Sequence, residues 1–168
     1  MSEKINEVSE KDDLVIKRIF DAPCELVWRA WTEAEHVVKW WAPKDHTTPA
    51  CKIDLRVGGK YLICMRSKEG QDFWITGAYK EIIPNQKLVC SDCFSDEHGN
   101  VVPASHYGMQ SDFPLEVEIT LLLKDINGKT EITLIHKGLP AGSMKDMTGI
   151  GWNEMFDKLA ESLNINKI

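Results

Sequence analysis

The segment from Ser143 to Leu163, SMKDMTGIGWNEMFDKLAESL, constrains the fold more than any other. Thr148, Trp152, Met155, Leu159 and Leu163, with Phe156 beside them, recur at the spacing of one helical face, while Asp146, Asn153, Asp157 and Glu161 fall on the opposite face. Ser143 with Asp146 three residues on is a capping-box pattern for the helix start. A face this wide and bulky needs a large apolar partner, and in a strand-rich chain that partner is a sheet. Gly149 and Gly151 interrupt the first half, each at a cost of about 1 kcal/mol against alanine. Two readings stay open: close packing on a bulky neighbour, or space left for a cavity. Both place the two glycines against the sheet.

A chain of 168 residues is long enough for one domain with a sizeable core. Its 20 basic and 26 acidic residues give a net charge of −6, and no basic stripe appears. This argues against nucleic acid as the main partner, because neutralising phosphates needs a basic surface. No apolar run is long enough to span a bilayer, so no membrane insertion is expected. Residues 1–12 carry charge without an apolar core and read as a disordered, solvated tail, with a single domain over 13–165. Five cysteines scattered through apolar segments read as reduced thiols in the cytoplasm.

In chain order, Leu14 to Phe20 is a β-branched strand, and Pro23 suits the first turn of a short helix with Val27, Ala30 and Trp31 on one face. Thr32-Glu33-Ala34-Glu35 reads as a capping box for a second helix that carries Val37 and Trp40-Trp41 and ends at Pro43. The pattern then changes to period two. Short strands are expected over Cys51 to Leu55, with Tyr61, Ile63 and Met65 inward on the next, then Phe73 to Ile83 and Leu88 to Phe94. Gly77 inside a strand implies a bend or a close approach by another element. Ser95 to Asp112 is the longest irregular stretch, of the kind that is usually functional or mobile. Val117, Ile119, Leu121 and Leu123 alternate with polar residues, Asn127-Gly128 is a tight hairpin signal, and the return strand places Thr130, Ile132, Leu134 and His136 together. An antiparallel sheet curved around the terminal helix is the simplest packing of this order, an α+β fold with Glu116, Glu118, Glu131 and Lys137 on its polar outer face.

Trp40-Trp41-Ala42-Pro43, Gly58-Gly59-Lys60-Tyr61, Gly77-Ala78-Tyr79, Gly128-Lys129-Thr130 and Gly151-Trp152 with its helix together resemble the activator-of-Hsp90-ATPase homologue family. That family belongs to the START-like, or Bet v 1-like, superfamily. The resemblance covers about Leu14 to Leu163. It implies the helix-grip fold: a seven-stranded antiparallel sheet gripping a C-terminal helix, with two small helices closing one end. It also implies a cavity of the kind in which superfamily members hold lipids, polyketides or plant hormones. The family's eukaryotic co-chaperone binds Hsp90 and stimulates its ATPase with an extra N-terminal domain bearing an Asn-rich Trp-His-Trp stretch, and this sequence contains no such stretch.

His136 is the most interesting titratable residue. Alternation turns it inward near the helix start, where it is either a hydrogen-bonded core residue or a handle that orients a ligand. Some superfamily enzymes use cavity acids and bases, but no carboxylate is evident on the same inner face, which leaves a cyclase- or hydrolase-like enzyme as the third reading. The six tryptophans are core packing or aromatic pocket lining, with Trp40 and Trp152 the better lining candidates and Trp74 turned outward. Cys90 and Cys93 form a CxxC on a strand, where residues three apart face opposite ways, so neither a metal site nor any cofactor is expected. No Ser or Cys has an evident base, so no catalytic residue is assigned.

The leading expectation is a non-enzymatic protein that binds a hydrophobic small molecule between sheet and terminal helix. Tyr61, Ile63, Met65, Tyr79, Ile119, His136, Trp152 and Met155 are the candidate lining residues. Apolar groups would contribute about 25 cal/mol per Å² buried, with His136 and the tyrosines setting orientation and the loop around Tyr107 and Met109 covering the mouth. The alternative is an Hsp90-type co-chaperone that acts through its outer surface.

Overall fold

The computed structural model describes residues 13–109, 113–140 and 142–166. The expectations for residues 1–12, the Ser143 side chain that was to cap the terminal helix, and the end of the long loop at 110–112 lie outside the described residues.

Seven strands form one antiparallel sheet: β1 (Leu14–Phe20), β2 (Thr47–Ile53), β3 (Lys60–Arg66), β4 (Asp72–Ile83), β5 (Lys87–Ser95), β6 (Val117–Ile126) and β7 (Lys129–Lys137). Their order is β1-β7-β6-β5-β4-β3-β2. Every neighbour except the β1–β7 pair is consecutive in sequence, so short turns build most of the sheet. The Asn127-Gly128 hairpin fixes one register: both residues adopt positive φ (52° and 90°), and Ile126 pairs with Lys129. Such a turn matches the right-handed twist of the strands it joins. The sheet curls into a half-barrel around helix α3 (Ser143–Asn166), which is the helix-grip α+β architecture.

The sequence's division of α3 into two faces holds. Trp152, Met155, Phe156, Leu159 and Leu163 are buried, while Asp146, Asn153, Asp157 and Glu161 are exposed. Polar contacts fix its position at both sides. Arg18 on β1 donates to Asp157 Oδ1 at 2.6 Å. On the other side Glu154 Oε1 accepts from the Lys44 amide, and Lys158 Nζ donates to the Pro43 and His46 carbonyls, all at 3.0 Å. No helix among the described residues is long and apolar enough to cross a membrane.

Helices α1 (Cys24–Thr32) and α2 (Ala34–Val37) follow β1. On α1, Val27, Ala30 and Trp31 are buried as their spacing predicts, and so is Trp28. The capping box expected at Thr32 does not form. The Thr32 hydroxyl turns back to the Trp28 carbonyl at 2.8 Å, and extended Glu33 separates the helices. This backward bond is the usual competitor of a cap. Helix α2 is a single turn, so Trp40 lies in the turn after it and Trp41 just beyond that turn. Trp40 is fixed there by donating its indole N–H to the Ala30 carbonyl at 2.9 Å. Strand β2 begins earlier than expected and includes Pro49, with the register shifting between Thr47 and Ala50. Proline is tolerated there because β2 is an edge strand.

Candidate ligand cavity beneath the terminal helix

The space between sheet and helices divides in two. Under α1 and α2 the side chains of Trp31, Val37, Ile53, Leu88 and Leu121, with others, leave a void of only about 30 Å³. Beneath the first half of α3 lies a cavity of about 510 Å³. Trp41 borders both.

The structure separates the predicted lining residues accordingly. Tyr61, Ile63, Tyr79 and Ile119 border the small void, where they pack as core. Met65, His136, Trp152 and Met155 stand on the wall of the large cavity. Gly151 is on that wall too, and a Cβ built on it would meet only Pro43 Cγ at 3.8 Å. It therefore faces the connector after α2 rather than the sheet. Gly149 does meet the sheet: its Cβ would lie 3.4 Å from Leu14 Cδ1 on β1. Of the two readings of these glycines, close packing suits Gly149 and open space suits Gly151.

One floor of the cavity is a strip of inward β3–β5 side chains, Met65, Ile75 and Phe94. The long loop contributes Gly108, Met109 and, beyond its undescribed part, Phe113. Tyr107 does not line the cavity. It belongs to a 3-10 turn (Ala104–Tyr107) and anchors the loop, its hydroxyl donating to the Ser95 carbonyl and accepting from the Trp74 amide. Trp74, expected outward, is half-buried near this anchor. On the opposite rim Met147 lines the cavity and is itself exposed, which marks the mouth.

Polar groups on this wall form a chain. Trp152 Nε1 donates to His136 Nδ1 at 3.0 Å. His136 Nε2 faces Asp92 Oδ2 at 3.6 Å. Asp92 Oδ1 accepts from the Tyr61 hydroxyl at 3.1 Å, which also lies 2.8 Å from the Ser91 carbonyl. An indole N–H can only donate, so Nδ1 must be the acceptor and the proton of the neutral imidazole sits on Nε2. Burial, with Asp92 beside it, pushes the Tyr61 phenol well above its ordinary range and keeps it a donor. Three buried nitrogens of this region have no hydrogen-bond partner among the described residues: Trp31 Nε1, Trp41 Nε1 and His136 Nε2.

Asp92 corrects the expectation that no carboxylate shares His136's face. Leu88, Cys90, Asp92 and Phe94 alternate inward on β5, so period two alone places Asp92 there. The signal is weak because the outward Val89 and Cys93 are also buried. Gly77 makes room for the arrangement. A Cβ on it would come within 1.9 Å of the Ser91 carbonyl and 2.6 Å of Tyr61 Cε2. The Tyr61 ring crosses this glycine to reach Ser91 and Asp92, which is the close approach that a glycine inside a strand implies.

The wall carries four tryptophan-centred ring contacts of direct interest: Trp31–Trp152 (5.9 Å), Trp41–Trp152 (5.4 Å), Trp31–Trp41 (6.1 Å) and His136–Trp152 (6.0 Å). Trp40 is shielded behind Trp31 and Trp41 and borders neither space. The arrangement can therefore bury an apolar body against aromatic and methionine side chains and present a few oriented polar atoms to it.

Comparison with known proteins agrees with this geometry. The family model described as activator of Hsp90 ATPase homolog 1-like protein matches residues 21–164. Among solved structures, a Nitrosomonas europaea protein is 26% identical with a TM-score of 0.77, covering 94% of this chain and 98% of its own. A Chromobacterium violaceum protein is 23% identical with a TM-score of 0.74, covering 92% and 98%. A Silicibacter pomeroyi protein named for the same family is 20% identical with a TM-score of 0.73, covering 92% and 99%. No curated protein matches the chain in sequence.

Proposed function

The chain belongs to the activator of Hsp90 ATPase homolog 1-like family, and from that premise we propose that it binds a hydrophobic small molecule in the cavity beneath α3. The observation that carries this reading is the cavity itself. At about 510 Å³ it lies within the range of small-molecule sites, which are mostly apolar with a few placed polar groups. A packed protein interior leaves voids little larger than a water molecule, and the space under α1 and α2 meets that description.

The state of His136 supports holding rather than proton transfer. Its basic nitrogen, Nδ1, is occupied by the Trp152 N–H, and Nε2 faces a carboxylate. A general base needs a free lone pair within reach of the substrate. The chaperone-partner reading rests on the family description, for the outer sheet face carries ion-paired side chains such as Lys80 with Glu118 and Glu116. All five cysteines are free thiols, which suits a reducing compartment such as the cytoplasm.

The test uses the cavity's methionines. With methyl-labelled protein, an apolar probe such as naphthalene should shift the Met65, Met109 and Met155 resonances together with the Trp152 indole. Shifts confined to surface amides at saturating probe end the reading.

A further inference from the structure

We propose that the ligand of the cavity beneath α3 is an organic cation, an apolar body carrying a protonated amine, and that Asp92 receives the ammonium. The proposal rests on the small-molecule reading of this cavity and names the ligand's chemistry within it.

The argument is one of charge. Among the described residues that line the cavity, only Asp92 and His136 have ionisable side chains, and none is a lysine or arginine. His136 supplies no positive charge. Its Nδ1 accepts the Trp152 indole N–H, and a second ring proton would set two N–H groups against each other. Its Nε2 is closed off from the cavity and faces Asp92 Oδ2 at 3.6 Å, about half an ångström beyond a usual N–H···O bond. The carboxylate is more open. The Asp92 side chain is 18% accessible, against 6% for His136. Asp92 turns inward with Leu88, Cys90 and Phe94, so its accessible surface opens into the cavity that it lines. The described wall thus presents one negative charge and no positive one.

Such a wall selects by sign, because charges interact more strongly beside apolar surroundings than in water, and an ion buried there without a partner is costly. A carboxylate ligand would meet Asp92 with no described lining cation to offset it. A neutral ligand suits the apolar wall but leaves the carboxylate without a counter-charge. A protonated amine answers both. Its N–H donates to Asp92, whose two oxygens keep lone pairs free after Oδ1 has accepted from the Tyr61 hydroxyl. Phe94, two residues along the same face of β5, and Trp152, bonded to His136, add aromatic rings of the kind that favour a nearby cation. Met65, Ile75, Leu139 and Met155 take the apolar body.

The experiment is calorimetric titration of the whole chain at neutral pH with three probes on one skeleton: 2-naphthylmethylammonium, 2-naphthylmethanol and 2-naphthoate. Methyl and indole resonances locate the binding, and added salt screens the surface charge. The ammonium should bind about tenfold more tightly than the alcohol, the worth of one hydrogen bond to a charged group, and the naphthoate more weakly than either. Asp92→Asn keeps an acceptor for Tyr61 but removes the charge, and should erase the ammonium's advantage. The proposal is overturned if the alcohol matches the ammonium or if the naphthoate binds tightest. It is also overturned if the advantage survives Asp92→Asn, as it would were the chain's net charge of −6 its source. In those cases the neutral probe still shifts Trp152 and the cavity methionines, and the small-molecule reading stands. If no probe moves them, both fall together. Should Asp92→Asn fail to fold, the order of the three probes on the unaltered chain in high salt decides.

Discussion

The two ends of the space inside the half-barrel share one sheet and one aromatic cluster, yet one is filled and the other open. Under α1 and α2 the inward residues of β3 to β6 meet Trp31, Val37 and Trp41, and about 30 Å³ remains. Beneath the first half of α3 the helix presents Thr148, Gly151 and Trp152 across about 510 Å³. The difference lies in what each helix offers to the sheet. Bulky side chains close one end. At the other, Gly151 puts no side chain into the space, and the loop residues Gly108 and Met109 border it without filling it. The lesson is that an apolar inner face does not by itself make a pocket; a pocket needs a neighbour that approaches without filling.

The largest expected effect sets the packed part of α3 against its open part. Phe156 is fully buried, edge-on to Phe20 at 5.7 Å, and borders neither space. Phe156→Ala should cost about 4 kcal/mol, as for a well-packed core phenylalanine. Met155→Ala, one residue away but on the cavity wall, should cost about 2 kcal/mol, because fewer contacts are lost where one side already faces space. Urea unfolding measures both. Equal losses would mean that the open end is packed in solution and the comparison collapses.

Gly151→Leu sharpens the comparison with a smaller change in stability. The new Cβ would meet only Pro43 Cγ, on the cavity wall, and replacing a mid-helix glycine returns about 1 kcal/mol of helix propensity. Thermal or urea unfolding should therefore shift by no more than about 1 kcal/mol, while the naphthalene-induced shifts of Met65 and Met155 disappear. Persistence of those shifts would show that Gly151 is not a wall of the site.

The smallest effect concerns the closed end. Cys90 borders the small void, and burial, with Asp92 nearby, pushes its thiol far above the ordinary range. Reaction needs a thiolate with access. Pulsed maleimide labelling at neutral pH, read by mass spectrometry, should modify Cys90 no faster than the whole molecule unfolds. Cys93 on the outer face is pushed up only to about 11. Its labelling is expected to be slow as well, so a Cys90 that reacts first would reveal an opening at the supposedly closed end.

Much of the fold was legible because it depends on local periodicity. The helical face of Trp152 to Leu163, the Asn127-Gly128 turn and the inward set of Tyr61, Ile63 and His136 each follow from spacing alone. The failures were also local. Spacing marks Thr32 as a cap, but its hydroxyl bonds the carbonyl four residues back. The resemblance to known relatives added the strand count and the grip on the helix, and the observed strand order agrees with both.

The candidate site was legible only in part. Eight lining residues were expected, and the structure divides them between two spaces. Asp92 was within reach of period two, but a strand with buried residues on both faces hides the odd carboxylate.

By itself, then, the sequence determined which residues turn inward and which element they must cover, because side-chain direction follows from the backbone repeat. Only the tertiary structure decided how far α3 stands from the sheet and which inward residues face a gap. It alone paired Trp152 with His136 and brought Asp92 within 3.6 Å. The physical reason is that a cavity is a small remainder between large packed volumes. It is set by non-local contacts such as Lys158 on the Pro43 and His46 carbonyls, which no local spacing encodes.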